Sequence, residues 1–131
     1  MRLYKTQKRK QNQNQFSIPQ RKFSININFV KNINMKSIFI TFDQAYYEQI
    51  MSILRGNNIR GFTSWTEVQG RGTKTGDPHL GSHAWPSLNS AIITIVEDKK
   101  VKQVLEDLKA LDQTSELMGL RAFVWNIEDM I

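Results

Sequence analysis

From Lys36 onward the chain alternates apolar and polar positions with a period that switches between two and about 3.6 residues. In KSIFITF, Lys36 to Phe42, Ile38, Ile40 and Phe42 fall on one side of an extended chain and Phe39 on the other, with the β-branched and aromatic enrichment of a strand. The period then lengthens. Tyr46, Ile50, Ile53 and Leu54 recur at helical spacing, Asp43 stands where an N-cap belongs, and Gly56 with Asn57 supplies a C-terminal stop, so a helix is expected over 44–56. GFTSWTEVQ, from Gly61, reads as a second strand, and NSAIITIVE, Asn89 to Glu97, as a third. Val101, Val104, Leu105, Leu108 and Leu111 form an apolar stripe through DKKVKQVLEDLKALD, a second helix with Asp98 as its expected cap. LRAFVWNIE, Leu120 to Glu128, closes the series as a strand.

The order β-α-β-β-α-β is the split-βαβ, ferredoxin-like arrangement, an α+β sandwich with a four-stranded antiparallel sheet and both helices on one face. The strands are apolar on both sides: Ile92, Thr94 and Val96 oppose Ile93 and Ile95, and Phe123, Trp125 and Ile127 oppose Val124. Two helices cover only one face, so the other is expected to meet further copies of the chain.

Composition narrows this picture. The 131 residues contain no cysteine, which excludes disulfide stapling and thiolate metal sites and fits a reducing, cytoplasmic setting. No apolar run approaches the roughly twenty residues of a membrane span, so no direct membrane insertion is expected. The net charge of +6 suggests a nucleic-acid partner until its distribution is considered. Residues 1–34 carry eight Lys/Arg and no acid, whereas 35–131 carry ten Lys/Arg against twelve Asp/Glu. The folding part is therefore mildly acidic, and no nucleic-acid partner is expected for it. Residues 1–34, with QKRKQNQNQ and FSININFVKNINM, read as a disordered, basic, low-complexity tail. Two readings stand for it: upstream sequence outside the native protein, since Met35 opens the first strand, or a basic arm.

Between the second and third strands lies an unusually long connection, 70–88. The stretch Val68 to Glu97 holds four of the chain's seven glycines, two of its three prolines and both of its histidines. Strand connections run roughly two to five residues, and longer structureless ones tend to bind something. This loop is the expected recognition device.

With TEV-x-G-x-G, Thr66 to Gly72, placed at the base of that loop in a β-α-β-β-α-β chain, residues 35–131 resemble the PII family of signal-transduction proteins. MKSIFITF, GFTSWTEVQGRG, SAIITIVEDKKVKQVLEDLKAL and AFVWNIEDM carry the resemblance. It implies a homotrimer with sheets facing inward, a nucleotide cleft between subunits, and a loop that acts on a partner protein such as a membrane transporter or an enzyme. Gly70 and Gly72 match the glycines that let backbone approach phosphate. The match is incomplete: Thr73 and Lys74 stand where the family has a loop glutamine, and DQTSELMGL from Asp112 replaces its TGxxGDGK pattern. The loop also has no tyrosine to be nucleotidylated. By position, Gly119 and Arg121 are the remaining candidates for a rearranged ligand set with Gly70, Gly72 and Lys74.

Two chemistries are open to the loop. GRGTKTG, with Arg71 and Lys74, suits an anion such as an adenine nucleotide, although no P-loop is present. Asp77, His79 and His83 offer a carboxylate and two imidazoles to a divalent metal ion, which would make the chain an accessory protein of metal tolerance or efflux. Arg71, Lys74 and Trp85 are the expected partner contacts. The tryptophans otherwise suit packing better than stacking on a ligand. No Ser/His/Asp, Cys/His or paired-carboxylate set is placed for catalysis, so the chain is not expected to be an enzyme.

Overall fold

The computed structural model describes residues 34–115 and 119–131. The expectation of a disordered basic tail lies outside them, apart from Asn34. The elements follow in the order β1 (Met35–Asp43), a 3-10 turn (Gln44–Tyr46), α1 (Tyr47–Gly56), β2 (Thr63–Val68), β3 (Asn89–Glu97), α2 (Asp98–Asp112) and β4 (Arg121–Asn126). The strands form one sheet in the order β2-β3-β1-β4 with every neighbouring pair antiparallel, the expected ferredoxin-like sandwich. Among the described residues, no helix is long and apolar enough to cross a membrane.

Alternation along the strands decides what is buried. Ile38, Ile40 and Phe42 of β1 join Ile92 and Val96 of β3, Ile50 and Leu54 of α1, and Val104 and Leu108 of α2 in one core. Ser90 and Thr94 share the buried face, and their hydroxyls donate to the carbonyls of Thr66 (2.8 Å) and Gly61 (2.6 Å), binding β2 and its approach to β3. Among the described residues, both helices pack on that side and leave the opposite face open. The registers Phe39↔Ile93, Phe39↔Phe123, Ser37↔Ile95, Ser37↔Trp125 and Trp65↔Ala91 place these side chains together on it. Trp65, Phe123 and Trp125 are each close to half exposed there, with Phe39 and Trp125 in tilted ring contact at 6.4 Å.

Element ends differ from the sequence expectation in ways that local hydrogen bonding explains. Asp43 does cap, accepting from the Ala45 amide at 2.8 Å, but the first turn it caps is 3-10. α1 does end at Gly56 with Asn57 as its C-cap, and the left-handed residue that follows is Asn58 (φ 54°), after which the Ile59 amide returns to the Leu54 carbonyl. Asp98 is the first residue of α2 rather than its cap, and its amide is satisfied by the Asn34 carbonyl at 2.8 Å. β2 and β4 are shorter than the apolar runs GFTSWTEVQ and LRAFVWNIE, because pairing with β3 and β1 ends before those runs do.

Candidate functional site

The 70–88 loop is a folded structure with a paired base. Gly70 and His79 exchange backbone hydrogen bonds of 3.0 and 2.8 Å, and the Gln69 side-chain amide reaches the Leu80 carbonyl at 2.9 Å. Beyond this base, the Gly81 amide donates to the Ser87 carbonyl and the Ser82 amide to the Trp85 carbonyl, closing a tight tip. Gly81 adopts φ +61° against the Leu88 side chain, a conformation that a Cβ would strain. Two residues that sequence patterning assigned to a cap and a strand start fasten the base to the sheet. His79 Nδ1 lies 2.6 Å from the Asn89 side-chain oxygen and 3.7 Å from an Asp43 carboxylate oxygen. Asn89 is buried, and the His79 and Asp43 side chains are mostly so.

The fold brings together the two glycine segments that lie far apart in the chain. A Cβ on Gly72 would sit 2.7 Å from the Gly119 carbonyl oxygen, so only glycine allows the loop base to approach the segment leading into β4 this closely. Gly119 itself is left-handed, with φ +57°. Beside this crossing runs a cleft of about 380 Å³ that takes in Gly70, Arg71, Gly72 and Arg121 along with Thr41 and Phe123 of the open sheet face. Arg121 Nη1 donates to the Leu120 carbonyl at 2.6 Å. Of the residues expected to bind ligand, Gly70, Gly72 and Arg121 thus share one cleft, with Gly119 against Gly72, while Lys74 is exposed and lines no part of it.

A second cavity, about 340 Å³, lies under the loop. Asp43, Asp77, Pro78, His79, Trp85 and Asn89 contribute to its wall. The three candidate metal ligands do not converge: among the described residues no three of His, Cys, Asp and Glu are grouped so as to hold a metal ion. His79 is committed to Asn89 and Asp43, Asp77 lines the cavity, and exposed His83 lies outside it. Helical i,i+4 geometry would have paired the two histidines; Gly81 and the turn at the tip separate them instead. Asn89 and Asp43 had no signal in the sequence beyond their places at strand ends, since their roles require His79 to be folded back ten residues before Asn89.

A ferredoxin-like βαββαβ domain with a folded loop after β2, its glycine base crossing the segment before β4, has the build of a PII-like signalling protein. The chain belongs to that family: the model of nitrogen regulatory protein P-II matches residues 35–131. Among solved structures it is similar to CPII, a nitrogen regulatory PII-like protein from Thiomonas intermedia K12, bound to ADP, AMP and bicarbonate, with 20% identity over 72% of this chain and 86% of that one and a TM-score of 0.60. It is also similar to the B. subtilis GlnK-ATP complex, at 22% identity over 75% of this chain and 87% of that one, with a TM-score of 0.56. No curated protein sequence matches significantly.

Proposed function

We propose that the protein is a homotrimeric, cytoplasmic PII-like regulator without catalytic activity, which binds an adenine nucleotide at the cleft between subunits and acts on a partner protein through the 70–88 loop. The observation that carries this reading is the close crossing of Gly72 and Gly119 beside Arg71 and Arg121. Bare backbone and two guanidinium groups at the edge of an open apolar sheet are suited to a phosphate chain covered by a neighbouring subunit. The similar CPII and GlnK structures hold ADP, AMP and bicarbonate, or ATP, which supports the choice of ligand. Nucleotide binding would alter the loop to the extent that it favours one arrangement of the Gly72 segment over another. Arg71, Lys74 and Trp85 are the loop side chains offered to the partner.

Calorimetric titration of the full chain with ATP, ADP and AMP tests this. Micromolar binding is expected, weakened at least about tenfold by Gly72→Ala, which corresponds to about 1.4 kcal/mol. No nucleotide binding, joined to a thermal shift from zinc, nickel or copper that His79→Ala with His83→Ala removes, would replace this reading with the metal-accessory one.

A further inference from the structure

On the nucleotide reading given above, we propose that Asn89 is a ligand-binding residue of the arginine-bearing cleft: its side-chain N–H donates to a phosphate oxygen there while its side-chain oxygen holds the loop through His79. Asn89 is only 6% exposed, yet it borders both the cleft and the cavity under the loop. Its two ends point apart. Oδ1 lies 2.6 Å from His79 Nδ1, and His79 lines the cavity but not the cleft. Nδ2 lies at Gly70, where an added Cβ would come within 3.2 Å of it, and Gly70 lines the cleft but not the cavity. The neighbouring charge fixes this orientation of the amide. His79 Nδ1 also faces an Asp43 carboxylate oxygen at 3.7 Å, so Nδ1 carries the ring proton and needs an acceptor from Asn89; turning the amide over would set its N–H against that proton.

Nδ2 donates to no group among the described residues, where Asn89 makes only the side-chain contact to His79. Of the described side chains, the Ser37 hydroxyl alone is both sealed from solvent and unpartnered, so Nδ2 opens onto the space beside it. A donor on so buried a residue, turned into a cleft with nothing to receive its proton, calls for an acceptor. The rest of the wall says which kind. Arg71 and Arg121 bring positive charge and no carboxylate lines the cleft, so the fitting acceptor is an anionic oxygen, and Gly70 and Gly72 leave it room beside the backbone. An oxygen held by Nδ2 fixes the plane of the amide and thereby aims Oδ1 at the imidazole. Occupation of the cleft and closure of the His79 clasp then favour each other, and by reciprocity each gains what the other gives.

The test is calorimetric titration of the full chain with ADP in wild type, Asn89→Ala, Asn89→Asp and His79→Ala, with backbone amide exchange at Gly70 and His79 followed with and without the nucleotide. Asn89→Ala is expected to weaken ADP about tenfold, the scale of one charge-assisted hydrogen bond. Asn89→Asp keeps an oxygen for His79 but turns a carboxylate toward the phosphates, so it should weaken ADP further, and it carries the comparison if Asn89→Ala does not fold. His79→Ala breaks the same clasp and keeps the donor, so its affinity for ADP should stay within about threefold of wild type. ADP should slow exchange at the His79 amide in wild type and not in Asn89→Ala. Unchanged affinity in both Asn89 variants, equal weakening by Asn89→Ala and His79→Ala, or slowing by ADP that persists in Asn89→Ala would each overturn the proposal and leave the nucleotide reading standing. A wild-type chain that binds none of ADP, ATP and AMP would overturn both.

Discussion

At the scale of single residues, the chemistry of the loop rests on contacts that join positions far apart in function as read from sequence. His79 is the clearest instance. As one of only two histidines it invites a metal-ligand reading, yet its ring is held by Asn89 and Asp43 and its backbone by Gly70. It acts as a clasp between loop and sheet. His79→Ala is expected to cost about 1 kcal/mol of stability, the scale of one hydrogen bond in a partly buried site. Its larger effect should be local: hydrogen exchange at the Gly70 and His79 amides should speed up while amides in β1 and β3 keep their protection. Unchanged exchange at Gly70 would mean that the backbone pair holds the loop base without the side chain. Gly72 is the second instance, a glycine whose necessity lies in the Gly119 carbonyl, forty-seven positions further along the numbering and about one backbone thickness away in space.

At the scale of elements, polar side chains fasten the two helices where the apolar stripes end. The Asn57 side-chain amide donates to its own helix at the Ile53 carbonyl and across to Asp107 at 2.8 Å, and Gln103 donates to the other Asp107 oxygen at 2.9 Å. Lys100 adds contacts of 3.1 Å to the carbonyls of Asn57 and Asn58. The donors from Asn57 and then Gln103 hold the Asp107 carboxyl below its ordinary pKa. A depressed carboxylate pKa in the folded state stabilises at any pH above the unfolded value, about 3.9, and that contribution disappears as pH falls through the lower folded value. The melting temperature of wild type should therefore exceed that of Asp107→Asn by a constant margin from neutral pH down to about 5, with the gap closing in stronger acid. A gap that persists unchanged at pH 2 would assign the effect to packing instead of charge.

For the whole molecule, the open sheet face is the dominant unsatisfied feature. Phe39, Trp65, Ile95, Phe123 and Trp125 cluster on a surface that neither described helix covers, and Ser37, fully buried on the same face, has a hydroxyl without a hydrogen-bond partner among the described residues. A surface of this kind is stabilised by association. Light scattering on the proposed trimer is expected to give three times the chain mass for wild type. Trp125→Glu, which would place a charge on the β4 side of that surface, should give a monomer, because an unpaired charge in an apolar interface costs several kcal/mol. A Trp125→Glu protein that remains trimeric would move the interface elsewhere.

What the sequence determined by itself is the set of elements and their order. Period-two alternation marked the strands and the 3.6 period marked the helices, with β3 legible to the residue as Asn89–Glu97. These patterns are local, since each reflects which side of one element is kept from water. The apolar character of both sheet faces was legible for the same reason. Boundaries set by pairing were not: the ends of β2 and β4 depend on where β3 and β1 stop offering partners. Nor could the sequence place Gly72 against Gly119, join His79 to Asn89 and Asp43, or separate His79 from His83. Those relations are set by how the loop folds back on the sheet, through backbone hydrogen bonds that carry no trace in side-chain periodicity. Only the tertiary structure decided them, and with them the division of the candidate site into an arginine-bearing cleft and a cavity under the loop.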